Sequence, residues 1–138
     1  MPDQMLGSML RINRYRIRAL RAALAPYNYI GTMHLVLHYV NLHPGANQEE
    51  IGCFYALDKT NVAREAKKLE DMGHIRREID TENRRQYKLY ITPEGEKMLS
   101  VIDGVYEDFR KRMSCGMSEE DWKALTALLK RVEQNSSV

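Results

Sequence analysis

Residues 47–95 read NQEEIGCFYALDKTNVAREAKKLEDMGHIRREIDTENRRQYKLYITPEG, and the punctuation of this stretch decides the fold. Asn47 followed three residues later by Glu50 is a capping-box pattern, so a short helix opens there. Ile51, Phe54 and Leu57 are its expected core contacts. Asp58 is a good N-cap for a second helix after a tight turn, and Gly73 is a good C-terminal stop. Val62, Ala66 and Leu69 recur at helical spacing and predict its buried stripe. Lys59, Thr60, Asn61, Arg64, Glu65 and Lys68 are left facing outward. Ile75 to Ile79 and Tyr87 to Ile91 alternate apolar with polar residues, as half-buried strands do. The polar segment Asp80 to Gln86 joins them, with Arg84 and Arg85 adjacent near its tip. Helix, tight turn, helix and basic β-hairpin in that order make a winged helix.

Outward from this unit the chain is helical. Thr92-Pro93-Glu94 is a strong helix start, because a cap residue precedes proline at the first helical position and then an acid. That helix is expected to reach about Met113, with Leu99, Ile102, Val105, Tyr106 and Phe109 apolar. Ser118-x-x-Asp121 caps a last helix striped by Trp122, Leu125, Leu129 and Val132, and Asn135 to Val138 should fray. Toward the N-terminus, Leu6, Leu10, Ile17, Leu20 and Leu24 predict a helix from about Gln4 to Leu24, ended by Pro26. Another is expected from about Ile30 to Leu42, with Met33, Leu37 and Val40 on one face, closed by His43-Pro44-Gly45. The fold class is mainly α with a small β-wing. Residues 29–95 form the winged helix-turn-helix unit. Residues 1–28 and 96–138 are expected to be dimerisation helices, all in one intertwined domain. These flanking helices carry more apolar surface than one small winged helix can cover, which points to a homodimer.

Composition narrows the function. The 138 residues are 43% hydrophobic, enough for a core, and no apolar run approaches the ~20 residues of a membrane helix. The N-terminus lacks a charged segment leading into an apolar one, so a cytoplasmic protein without a membrane partner is expected. The net charge is only +2, but its distribution is uneven. Arg11, Arg14, Arg16, Arg18 and Arg21 fall in a stretch, Gln4 to Gln48, that has no acidic residue. A positive lining for DNA phosphate or an anionic effector, or a solvated helix face, both fit that pattern. No nucleophile motif, phosphate loop or histidine–carboxylate pattern supports catalysis, and no cofactor is expected. His34 and His38 are spaced to chelate, yet no nearby acid or cysteine completes a metal site. Cys53 and Cys115 read as structural or incidental thiols. A redox- or metal-responsive regulator is an alternative.

The second helix of a helix-turn-helix lies in the major groove with its N-terminal part against base edges. Asn61 can pair with adenine and Arg64 with guanine. Thr60 can meet a phosphate or a thymine methyl, and Lys59 and Lys68 suit phosphates. Asp58, Glu65, Glu70 and Asp71 offset Lys59, Arg64, Lys67 and Lys68, so the helix is net neutral. That neutrality keeps a protein–protein interaction module open as an alternative. Arg84 and Arg85 on the hairpin suit a narrow minor groove, although Arg84 pairing with Asp80 or Glu82 would simply hold the wing. Arg76 and Arg77 at the wing base suit flanking phosphates.

Leu57-Asp58-Lys59-Thr60-Asn61-Val62-Ala63-Arg64, Lys68-Leu69-Glu70-Asp71-Met72-Gly73, and Asn83-Arg84-Arg85 leading to Leu89-Tyr90-Ile91-Thr92-Pro93-Glu94-Gly95 resemble the MarR family of bacterial and archaeal transcription regulators. The resemblance covers nearly the whole chain. It implies a homodimeric winged-helix binder of double-stranded DNA, usually a repressor relieved by a small phenolic or anionic ligand or by thiol oxidation. It places Arg85 on the family's minor-groove arginine. Asn83 replaces an aspartate that commonly braces it, so Asp80 or Glu82 is expected to supply the brace. Family ligand sites lie where the winged helix meets the flanking helices. The residues on offer there are Arg14, Arg18, Tyr15, Tyr27, Met33, His34 and His38, a set able to hold an aromatic carboxylate.

Overall fold

The computed structural model describes residues 3–137. In chain order the elements are α1 (Gln4–Leu24), a short 3-10 turn (Ala25–Tyr27), α2 (Met33–Leu42), α3 (Gln48–Tyr55), α4 (Lys59–Asp71), β1 (Ile75–Ile79), β2 (Tyr87–Ile91), α5 (Pro93–Met113) and α6 (Glu119–Ser136). The chain divides into two compact units, one through Val105 and one from Tyr106 onward. None of the described helices is long and apolar enough to cross a membrane.

The core of the first unit is drawn from many elements. Leu20 and Leu24 of α1, Met33, Val36, Leu37 and Val40 of α2, Ile51 of α3 and Val62, Ala66 and Leu69 of α4 are all buried. Ile75, Leu89, Met98, Leu99 and Ile102 complete it. Strands β1 and β2 pair antiparallel, with Ile75 opposite Ile91 and Ile79 opposite Tyr87. Leu89 also bridges to Ala46, so the loop before α3 lies along the ribbon. The helix-turn-helix turn is made by Ala56, which caps α3 in the left-handed region at φ 54°. The Ala56 and Leu57 amides both donate to the Gly52 carbonyl, the latter at 2.9 Å.

Two expectations need correction. Phe54 is not core but 67% exposed, tilted against Tyr39 and edge-to-face with Tyr55, while Gly52 takes the inward position beside Val62. The second helix starts at Met33 rather than Ile30, because Gly31 turns the chain at φ 57°. α6 runs to Ser136, whose hydroxyl donates to the Val132 carbonyl at 2.6 Å. Val138 lies outside the described residues.

The second unit is small. Its helix-to-helix turn uses Gly116 at φ 77°, and α6 opens with a complete capping box between Ser118 and Asp121. No residue of α6 is buried, and Leu125 and Leu129 of its stripe are exposed, as is Leu128 beside them.

Candidate nucleic-acid interface

The DNA-reading candidates on α4 start from its N-cap, where Asp58 accepts the Thr60 amide at 2.8 Å. Lys59, Thr60, Asn61 and Arg64 are exposed and Lys68 is half-buried. Sequence alone made this helix neutral, but its acids are all engaged. Asp58 is spent on the cap. Glu70 and Asp71 pair with Lys67 at 3.6 and 2.8 Å, and Glu70 also meets Arg77 at 3.1 Å.

Glu65 corrects the reading most. It was expected to face outward, yet it is 8% exposed. Its carboxylate accepts the Thr32 amide at 3.0 Å and the Thr32 hydroxyl at 2.6 Å. Both donors sit at the N-terminal end of α2, where the helix dipole favours a negative charge. Among the described residues, no ion pair engages Lys59, Arg64 or Lys68. The outward face of α4 therefore carries three cations outside any ion pair although the whole helix is neutral.

The wing is held through backbone amides. Asp80 accepts from the amides of Glu82 and Asn83 at 3.0 and 3.4 Å, and Asn83 accepts from the Arg85 amide at 3.2 Å. An asparagine oxygen serves that turn as an aspartate would. Arg84 does not pair with Asp80 or Glu82 as one reading allowed, and both Arg84 and Arg85 are exposed. Gln86, missed in the sequence, ties the wing to α3: its amide donates to Glu49 and its oxygen accepts from Asn47, each at 2.9 Å. Lys59, Thr60, Asn83 and Arg85 together line one cleft between α4 and the wing.

At the wing base the two arginines part. Arg76 is exposed, lies over the Tyr90 ring at 4.4 Å and pairs with Glu78. Arg77, with its side chain 17% exposed, is pinned between Glu70 and the Tyr87 ring. It joins β1 to α4 instead of projecting toward a phosphate.

The exit from the wing is built by Thr92 and Gly95. The Thr92 hydroxyl donates to the Gly73 carbonyl at 2.5 Å and accepts the Gly95 amide at 3.1 Å. A Cβ on Gly95 would lie 2.1 Å from the His74 carbonyl oxygen, so only glycine fits. The residues that look like a helix start are thus also the clamp holding α5 against the end of α4.

The MarR family model matches residues 32–87, the span from Thr32 to the wing. The HTH-type transcriptional regulator YybA of Bacillus subtilis (strain 168) is 33% identical over 103 residues, covering 75% of this chain and 67% of that protein. The chain belongs to the MarR family. Among solved structures, a crystal structure of MarR aligns with a TM-score of 0.89 at 27% identity, covering 98% of this chain and 92% of the other. The transcriptional regulator SlyA aligns at 0.87 with 26% identity, covering 96% and 94%. MarR-family regulators bind DNA and act as dimers, and this member is a DNA-binding transcription regulator.

This MarR-family chain also has a cavity of about 340 Å³ beside α1 and α2. Arg16, Arg21, Tyr29, Thr32 and His34 are its polar side chains, with Ile17, Leu20, Leu24, Ile30 and Leu35 apolar. Of the residues expected to form a pocket, only His34 lines it. Met33 is fully buried in the core. Arg14, Arg18, Tyr15 and Tyr27 are exposed and lie off the lining, while His38 faces Asp103 at 3.8 Å. The phase of α1 explains the difference: the buried Leu20 and Leu24 fix the inward face, which brings in Arg16 and Arg21. Burial, with help from Arg16 and His38, lowers the His34 pKa to about 4, so it is neutral at pH 7. The Tyr29 hydroxyl hydrogen-bonds His74 Nδ1 at 2.5 Å, and burial pushes the Tyr29 pKa up. Among the described residues, no group of three His, Cys, Asp or Glu is placed to hold a metal, and both cysteines are free and exposed.

Proposed function

We propose that this chain is a homodimeric, sequence-specific regulator that reads double-stranded DNA with α4 in the major groove and the Arg84–Arg85 tip in the adjacent minor groove. The supporting observation is the segregation of charge on α4: Asp58, Glu65, Glu70 and Asp71 are each engaged within the protein, while among the described residues no ion pair engages Lys59, Arg64 or Lys68. Asn61 and Arg64 contact base edges, Thr60 a phosphate or thymine methyl, and Lys59, Lys68 and Arg76 phosphates. Asn83 shapes the tip. Residues 29–95 form the DNA-reading unit, and residues 1–28 with 96–138 the dimerisation helices. Two such units joined by a two-fold axis suit a pseudo-palindromic operator, with half-sites about one helical turn apart. The same charge segregation removes the argument for a purely protein-binding winged helix.

The regulator acts as a repressor released by a small anionic or phenolic ligand. The cavity supports this reading, because two arginines, a tyrosine, a threonine and a histidine border a largely apolar space of ligand size. Release requires the ligand to favour one dimer state over another, not merely to occupy the cavity.

The test is duplex binding by three variants, using a sequence selected from a randomised pool. Arg85→Ala weakens binding by roughly 1–3 kcal/mol, and wild-type affinity in that variant refutes the wing's role. Arg64→Ala flattens base preference. Lys68→Ala weakens all sequences alike and makes the salt slope shallower by about one. Identical behaviour of the last two refutes the division into base and phosphate contacts.

A further inference from the structure

We infer that Glu65, seated on Thr32, is the positioning residue that sets the rotation of α4 and thereby its base preference. This rests on α4 as the major-groove reader. The apolar stripe of Val62, Ala66 and Leu69 presses α4 onto the core, but such packing is non-directional and constrains rotation only through shape. A helix with its side chains is about 10–12 Å across, so a 20° roll moves a surface group by about 2 Å. Paired base contacts do not tolerate that displacement. A directional contact close to the reading face removes the freedom.

Glu65 is placed to do so. It adjoins Arg64 in sequence and lies one turn from both Asn61 and Lys68. A buried carboxylate is costly unless its oxygens are satisfied. Here one oxygen takes the Thr32 amide and the other the Thr32 hydroxyl, at 3.0 and 2.6 Å. Thr32 gives up a role to provide this: it is the N-cap of α2, yet its side chain makes no capping bond. Gly31 completes the seat. At φ 57° the position favours glycine, and a Cβ there would lie 2.7 Å from Glu65 Oε1 and push the carboxylate from its seat. Three adjacent features of one turn therefore serve a single carboxylate on the reading helix.

The experiment compares Thr32→Val, Thr32→Ser and Arg64→Ala in the full chain. Each is measured on the pool-selected duplex and on a scrambled duplex, with circular dichroism and thermal melting alongside. Thr32→Val is the primary variant because it lies off α4 and preserves side-chain shape. It is expected to lower the ratio of selected to scrambled affinity about tenfold while leaving scrambled-duplex affinity and its salt slope unchanged. Thr32→Ser restores the hydroxyl and is expected to restore the ratio. A Thr32→Val protein with lowered melting temperature but an unchanged ratio overturns the inference, since the seat then only adds stability. If Arg64→Ala also keeps the wild-type ratio, α4 itself is not the reader, and the inference falls with that assignment. If Arg64→Ala flattens the ratio and Thr32→Val does not, only the positioning role fails.

Discussion

Gly95 shows how one residue can join two parts of the fold. It is buried in the first turn of α5, where alanine would ordinarily gain about 1 kcal/mol in helix propensity. The clash decides against that gain. An added Cβ would meet the His74 carbonyl oxygen at 2.1 Å and Ile91 Cγ1 at 2.8 Å, and the first of these is backbone that cannot rotate aside. Overpacking of this kind costs about 1–3 kcal/mol and sometimes more. Gly95→Ala is therefore expected to lower the unfolding free energy by about 2 kcal/mol, read as a shifted urea midpoint with an unchanged slope. A stability equal to wild type would show that the α4–β1 turn yields to the methyl. Sequence placed Gly95 in a recognisable motif but carried no trace of its partner, since His74 is distant in the chain. Glu65 was misjudged for a related reason. Its type suggests solvent, and only the donors of Thr32, from a different helix, make its burial tolerable.

At the scale of elements, boundaries were legible and partners were not. Caps and stops such as Asp58, Ser118 and Gly73 act within a few residues, so α1, α4 and both strands begin and end where local chemistry says. The wing's attachment was invisible because Gln86 reaches Asn47 and Glu49 across a fold contact. This attachment gives an element-scale prediction. Gln86→Ala frees the ribbon from α3 without removing any charge. Binding to the pool-selected duplex is expected to weaken several-fold while the salt slope stays fixed, because no phosphate contact is lost. A change in slope would mean that Gln86 reports on phosphate binding rather than on wing rigidity. The two arginines at the wing base separate on the same principle. They are identical in sequence terms, but the pleat sends Arg77 to Glu70 and leaves Arg76 exposed.

At the scale of the molecule, the unsatisfied feature is apolar surface. Leu6, Leu10 and Ile17 on α1 are exposed, Leu10 to 58%, and so are Leu125, Leu128 and Leu129 on α6. Exposed apolar stripes of this kind mark association surfaces, and a homodimer would bury them. Leu10→Asp is expected to halve the mass seen by analytical ultracentrifugation and to abolish tight binding to a two-half-site duplex, while helicity is kept. A variant that remains dimeric would remove α1 from the interface. The sequence by itself determined the order of helices and strands, most of their ends, the winged-helix class and the family, because these depend on periodicity, caps and turns within short reach. The tertiary structure alone decided which charges face solvent. It turned Glu65 inward to Thr32, engaged Glu70 and Asp71, put Arg16 and Arg21 rather than Arg14 and Arg18 on the cavity, and left a helix of zero net charge with three cations that no ion pair among the described residues engages. The physical reason is that periodicity fixes which residues share a face, whereas the fate of a charge depends on donors and acceptors brought from elsewhere in the chain.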